Sequence, residues 1–404
     1  MKILAFNCGS STLKFQLTEL ADENVVFGQE WRLASGNVDR IGTQGRIRFT
    51  IPNKEDHSQS VTVADHGEAT RRVLDWLRDT GLVERDGVQV VGHRVVHGGA
   101  RFSVPTIISD DIIKEIEAIS HLAPLHNEPA LSAIAAVRAI LGLAVPQVAV
   151  FDTAFHRTLP ERIARYAIPM ALAEKHNIRR YGFHGLAHRY MTERYAAITI
   201  TPVERTKLIT LQLGNGCSAT AVENGHSVDT SMGFTPLEGL IMGTRSGDID
   251  PSLVGFLSRQ ENVDVQEVEG WLNTRSGMIG VSGHSSDMRE LLDAESKGNT
   301  RAALAVDMFC YRVRKYIGAY LAVLGGAEAI VFGGGIGENS PQVRARICRG
   351  LEWCGLTIDQ SRNARAVGTE ELINADSSRI HAYVIPVDEE AVIARDTISC
   401  LRSR

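Results

Sequence analysis

The stretch Leu208-Ile-Thr-Leu-Gln-Leu-Gly-Asn-Gly-Cys-Ser-Ala-Thr-Ala-Val222 carries an apolar run into a glycine-rich turn and an alternating run out of it. It predicts a β-hairpin. Gly214, Asn215 and Gly216 leave backbone N–H groups uncovered and side chains small, so phosphate oxygens can approach closely. The N-terminus repeats the pattern in Ile3-Leu-Ala-Phe-Asn-Cys-Gly-Ser-Ser-Thr-Leu-Lys-Phe-Gln-Leu17, where Gly9-Ser10-Ser11 lines up with Gly216-Cys217-Ser218. Two such hairpins half a chain apart predict two similar halves facing one nucleotide. Taken alone, each hairpin reads equally well as an ordinary turn between strands.

The bulk properties narrow the class. A chain of 404 residues, 44% hydrophobic and 23% charged, is globular, with about two or three domains and room for a large core. A formal charge of −5 carries no basic excess for nucleic acid. Anionic ligands must then be met by a few placed arginines and backbone amides. The six cysteines contain no Cys-x-x-Cys pair, which argues against zinc or a disulfide framework and for a reducing compartment. There is no basic-then-apolar leader and no membrane-length apolar run, so a cytoplasmic enzyme without a membrane partner is expected.

Along the chain, Val25 to Ile51 reads as further strands with Gly36, Gly42 and Gly45 at turns, and Glu68 to Leu77 as a helix stopped by Gly81. Val88-Gln-Val-Val-Gly-His-Arg-Val-Val-His-Gly-Gly99 is a strand whose alternation puts Arg94 and Val96 on one face. A guanidinium beside a small apolar side chain suits a short carboxylate, although an arginine on an exposed edge strand would look the same. Ser109 caps a helix, a loop from Leu122 to Pro129 holds His126, and a helix runs from Ala130 to Leu141. The strand Gln147 to Asp152 delivers a carboxylate at its end, where α/β proteins often place catalytic or magnesium-binding acids and also helix caps. Phe183 and His184 occupy a glycine-flanked loop before a helix starting near His188.

The run Asp229 to Pro251 mixes glycine and polar residues with Met, Phe and Leu, as expected of a structured wall whose anion ligand is Arg245. Asp287 and Arg289 stand near a helix start, and a long helix from Arg301 to Leu324 stops at Gly325. Ala329-Ile-Val-Phe-Gly-Gly-Gly-Ile-Gly-Glu-Asn-Ser-Pro341 reads strand, glycine loop, helix, with Ser340 as cap, and matches neither the phosphate-loop nor the dinucleotide fingerprint. The acids Asp388, Glu389 and Glu390 precede a closing helix, whose dipole alone would favour them.

Together, Asn7-Cys-Gly-Ser-Ser-Thr-Leu-Lys-Phe, His93-Arg-Val-Val-His-Gly-Gly, Ala123-Pro-Leu-His-Asn, Val150-Phe-Asp-Thr-Ala-Phe-His, Tyr181-Gly-Phe-His-Gly, the run Asp229 to Pro251, Gly334-Gly-Ile-Gly-Glu-Asn and Pro386-Val-Asp-Glu-Glu span nearly the whole chain. They resemble the acetate kinase family, of the acetate and sugar kinase/Hsp70/actin fold. The resemblance implies an α/β protein with two duplicated actin/Hsp70-like (ribonuclease H-like) domains and an active-site cleft between them. Residues 1–152 plus 388–404 would form an acyl-substrate and magnesium domain, and 153–387 a nucleotide-binding and dimerisation domain.

It further implies reversible transfer of the ATP γ-phosphoryl group to acetate by a homodimer. Arg94 would hold the carboxylate, Arg245 would span carboxylate and phosphoryl, and His184 would donate to the phosphoryl oxygens with His126 assisting. Asp152 would be the acid/base or, more physically, order Arg94. Asn7 and Glu389 would position Mg²⁺, with Mn²⁺ as an alternative, and Val96, Leu125, Phe183 and Pro236 would wall the acyl pocket. ATP or ADP would be taken by Lys14, Gln212, Leu213, Gly214, Asn215, Gly216, Asp287, Met288, Arg289, Gly335, Ile336, Gly337, Glu338 and Asn339.

The chain departs from the family in three places. Gln212 stands where members usually have His, Thr12 where they have Ser, and Gly185-Leu-Ala-His188 where they have Gly-Thr-Ser-His. Val96 matches the acetate enzymes, whereas propionate enzymes tend to have alanine. A propionate or butyrate kinase is the alternative within the family, and a weakened paralogue that senses nucleotide is the alternative outside catalysis. A chaperone-like ATPase would need an added peptide-binding domain.

Overall fold

The computed structural model describes residues 1–20, 30–83 and 87–403, with the side chains of Glu30, Pro124 and Leu125 outside the described set. The chain divides into two compact units, Met1–Ala154 with Asp388–Arg404, and Phe155–Val387.

In the first unit the strands are β1 (Lys2–Cys8), β2 (Thr12–Leu20), β3 (Glu30–Asp39), β4 (Gln44–Thr50), β5 (His57–Thr62), β6 (Val90–Val95), β7 (Thr106–Ile107) and β8 (Gln147–Phe151). They form one sheet in the order β5-β4-β3-β2-β1-β6-β8-β7. β1, β6 and β8 are parallel neighbours, and the remaining pairings are antiparallel. Both faces of the central strands are covered, so β6 and β8 are buried along their whole length and read as continuous apolar runs. The helix His66–Asp79 buries Ala69, Val73 and Leu77 against Phe15 and Phe49, whose rings meet edge to face at 5.2 Å. Asp65 caps this helix by accepting from the Glu68 N–H.

In the second unit β9 (Lys207–Leu213), β10 (Cys217–Glu223), β11 (His226–Thr230), β12 (Ala329–Gly333), β13 (Glu371–Leu372) and β14 (His381–Val384) form a sheet in the order β11-β10-β9-β12-β14-β13. Strand for strand this repeats β3-β2-β1-β6-β8-β7, with the same parallel and antiparallel senses. The expected duplication is therefore a repeat of six strands, to which the first unit adds β4 and β5. The register changes one detail. β1 and β2 close at Cys8↔Leu13, and β9 and β10 close at Leu213↔Cys217, so Gly9 corresponds to Gly214 rather than to Gly216.

Other boundaries also move. Of the expected strands between Val25 and Ile51, residues 25–29 lie outside the described set. Gly36 sits inside β3 rather than at a turn, because a Cβ there would come within 2.5 Å of the Arg48 carbonyl and 2.8 Å of the Phe15 ring. The expected loop around His126 is the first turn of a helix, Pro124–Leu141, since Pro124 is tolerated where no N–H is needed. The glycine segment after β12 is itself a short helix, Gly334–Asn339, followed by a second helix, Pro341–Cys348. The helix expected near His188 begins at Gly185, with His184 as its N-cap residue.

Two buried histidines make stability pH-dependent. Burial pushes His93 and His97 down to about 4, while His93 pairs through Nε2 with Gln147. Both imidazoles are protonated more readily in the unfolded chain, so stability is complete above about pH 6.5 and is lost as pH falls towards 4. Urea titrations should show a slope approaching roughly 2.7 kcal/mol per pH unit in that window if both protons count. His93→Gln should halve it.

Candidate functional site

The first unit gathers its chemistry at the ends of three parallel strands. Asn7 of β1 pairs in register with Arg94 of β6, and Asp152 directly follows β8. Arg94 is buried and donates from one terminal nitrogen to Asp152 Oδ2 at 2.9 Å and from the other to Asn7 Oδ1 at 3.1 Å. Its Nε is buried with no partner among the described residues. Burial opposes the charge, but the Asp152, Glu389 and Glu390 carboxylates outweigh it and hold the Arg94 pKa above the ordinary value.

The acids come from the closing helix, Glu389–Arg402. That helix lies tight on the sheet because β6 carries Gly92; a Cβ there would sit 2.2 Å from Thr397 Oγ1 and 2.7 Å from the Ile393 side chain. Asp388 caps it by accepting from the Ala391 N–H, and the Asn7 amide nitrogen donates to Glu389 at 2.7 Å and Glu390 at 2.9 Å. Burial raises the Glu390 pKa, and Glu389 and Asp388 add to the rise against the pull of Lys14. Lys14 lies on β2 opposite Asn7, and its charge acts on Glu390. Val96 is buried just beyond β6, His126 is half-buried, and Leu125's side chain is outside the described set.

In the second unit, Phe183 is buried and His184 adopts a left-handed conformation, φ 57° and ψ 31°. Its Nδ1 lies 2.8 Å from Ser218 Oγ on β10. A methyl group placed at Gly216 would lie 3.4 Å from His184 Nε2 and 3.8 Å from an Arg245 terminal nitrogen, so the histidine and the arginine address one point. Arg245 donates to the Pro236 carbonyl at 3.0 Å and has no carboxylate partner among the described residues. Burial lowers its pKa, and a guanidinium is not deprotonated in proteins, so it is a partly desolvated cation.

A pocket of about 1100 Å³ lies within this unit, walled by Gly214 and Asn215, by Asp287, Met288 and Arg289, and by Gly335, Ile336 and Asn339. Asp287 caps the helix Met288–Ser296 and pairs with Arg289 at 2.5 Å. Leu213 is core and ends β9, and Gln212 just before it has its amide oxygen buried and unpartnered among the described residues. Glu338 accepts from the Gly334 and Val387 N–H groups, which makes it a latch on the glycine segment. Leu292, Ser296, Gln342 and Ala364 also line the pocket and were not singled out by sequence.

Sequence reasoning also missed Arg344. It is fully buried and donates to the carbonyls of Gly337, Glu338, Asn363 and Ala366 and to the Asn363 side chain, at 2.6 to 3.1 Å. Burial pulls it down to about 10. The signal was present, since Val343, Arg344, Ile347 and Cys348 share the buried face of their helix.

A family model described as the Acetokinase family matches residues 2–395. The chain is 48% identical over 409 residues to an acetate kinase of Solibacter usitatus, covering 99% of this chain and 98% of that one. It is 48% identical over 405 residues to an acetate kinase of Alkaliphilus metalliredigens, covering 99% and 100%. Among solved structures, an acetate kinase of Porphyromonas gingivalis superposes with a TM-score of 0.89 at 40% identity, covering 99% of each chain. A propionate kinase of Francisella tularensis does so with 0.89 at 39% identity, covering 98% and 99%.

The buried Arg94–Asp152 pair can be tested by breaking it from one side. Asp152→Ala should cost about 3–5 kcal/mol in chemical denaturation because it strips a buried guanidinium of its main anion. The double variant Arg94→Met/Asp152→Leu should recover most of that loss.

Proposed function

Because this chain belongs to the acetokinase family, we propose that it transfers the γ-phosphoryl group of ATP to acetate, giving acetyl phosphate and ADP, and catalyses the reverse. The observation that carries this reading is Arg245, a partly desolvated cation without a carboxylate partner among the described residues, beside Gly216 and His184. A carboxylate needs no base to become a nucleophile near neutral pH. One of its oxygens bonds to the γ-phosphorus as the bond from that phosphorus to the ADP oxygen breaks, and no proton moves. The obstacle is anion against anion, so positive charge and positioning supply most of the rate.

Arg94 suits the carboxylate, with its unpartnered Nε as a donor, and Asp152 holds the guanidinium in place. Val96 supports a short alkyl tail; one methylene changes such preferences by only about 1–3 kcal/mol, so propionate should be a slower substrate rather than a forbidden one. The pocket bounded by Asn215, Asp287 and Ile336 supports an ATP site. The backbone amides of Asn215 and Gly216 would meet the phosphates, as would His184, with His126 assisting.

For Mg²⁺ the donor set fits. Glu389 and Glu390 offer hard oxygens beside the Asn7 amide. Mg²⁺ is usually held by one or two carboxylates together with substrate phosphates. Glu389 would hold it, oriented by Asn7, and Mn²⁺ would be accepted; the ion would offset phosphate charge. The proposal also includes a homodimer. It rests on an exposed apolar stripe, Leu304, Met308 and Tyr311, on the helix Thr300–Leu324, and on exposed Leu253 and Phe256 on the helix Ser252–Glu261. A cytoplasmic location agrees with Cys8, Cys217, Cys310 and Cys348 being buried thiols; no helix among the described residues is long and apolar enough to cross a membrane.

Acyl phosphate trapped with hydroxylamine tests the activity. With ATP and Mg²⁺, acetate should give a higher kcat/KM than propionate or butyrate, and no product from any of the three would overturn the proposal. Arg245→Ala should lower kcat by about 10²–10³-fold, the usual effect of losing one donor to a developing oxyanion. Gln212→His should leave acetate the preferred acid. Light scattering should give a dimer mass, and Met308→Glu/Tyr311→Glu should reduce it to that of one chain.

A further inference from the structure

A chain of hydrogen bonds runs inward from His184. Its Nδ1 lies 2.8 Å from Ser218 Oγ; the same oxygen lies 2.7 Å from Nε2 of His188, one helical turn on; and His188 Nδ1 lies 2.8 Å from Thr210 Oγ1. Ser218, His188 and Thr210 are all fully buried. Thr210 lies on β9 and Ser218 on β10, two positions apart in the shared register, so the hairpin itself supplies both hydroxyls. His184 needs such support. A residue with a Cβ in the left-handed region is strained and persists only when its surroundings hold it.

The chain also has a direction. A hydroxyl carries one proton, so Ser218 can donate to one imidazole only and must accept from the other. At the far end Thr210 Oγ1 faces the Thr220 carbonyl at 3.5 Å, a group that can only accept. With Thr210 donating there, it accepts from His188 Nδ1–H. Ser218 then donates to His188 Nε2 and accepts from His184 Nδ1–H.

We propose that Ser218, backed by His188 and Thr210, is a positioning residue that pins the His184 ring and keeps its Nδ1 protonated, directing Nε2 to the point it shares with Arg245. A donor at Nε2 is then the imidazolium, a full charge rather than a neutral N–H. This inference rests on His184 meeting the phosphoryl group, as proposed above.

The test combines kinetics with a spectrum that needs no turnover. Ser218→Ala should lower kcat about 10-fold while the KM values for ATP and acetate stay within about 3-fold, in line with loss of an outer partner that orients a histidine. Ser218→Thr, which keeps the hydroxyl, should restore most of the rate. Thr210→Val should lower kcat about 3-fold and carries the kinetic test if Ser218→Ala does not fold. In ¹⁵N-histidine spectra, neutral His184 should be the Nδ1–H tautomer in the wild type and a mixture in Ser218→Ala. An unchanged kcat in these variants, or an Nε2–H tautomer in the wild type, overturns the inference. A wild type that forms no acyl phosphate overturns the activity instead, and the tautomer still decides the hydrogen-bond order.

Discussion

A full positive charge held under the surface constrains the first unit more than any other single feature. Asp152, Asn7 and the two glutamates surround Arg94 there, and the carboxylates offset the cost of burying its charge. Those groups come from three separate parts of the chain: the ends of β1 and β8, and the first turn of the closing helix. That helix reaches its place because Gly92 lets it lie against β6. Such a buried pair adds little net stability, since desolvation offsets most of the Coulomb attraction. What it gives instead is a guanidinium whose direction is set before any ligand arrives, which is worth more in catalysis than in folding.

The second unit solves a related problem differently. Arg245 is braced by the Pro236 carbonyl and left without a carboxylate partner among the described residues, so its charge is available to a ligand. Arg94 is compensated and oriented; Arg245 is oriented and uncompensated. In the reaction proposed, between two anions, the first would fix the acceptor and the second would stabilise the charge that gathers during transfer.

The hairpins, the repeat and the strand carrying Arg94 were legible because they rest on local pattern: alternation, continuous apolar runs and glycine at turns. Capping was legible at Ser109, where a short polar side chain precedes an amphipathic run, whereas Ser340 takes the expected N-cap position without a capping hydrogen bond from its side chain. What escaped depends on long-range packing. His126 looked like a loop residue because two prolines flank it, yet Pro124 starts a helix and Pro129 rides inside it. Gly36 looked like a turn because nothing local reveals that two aromatic rings and a neighbouring carbonyl crowd it.

Arg344 has a mechanical consequence. Its guanidinium ties the carbonyls of Gly337 and Glu338 to those of Asn363 and Ala366, closing a long excursion of the chain at its neck with one side chain. Closing a loop removes conformational freedom that an open chain would keep, which is the effect usually credited to a disulfide. Here the staple is made of hydrogen bonds to oxygens that do not titrate, in a chain whose nearby Cys348 is a buried thiol. The glycine segment beside the pocket is thus fastened by a crosslink that no reductant can open.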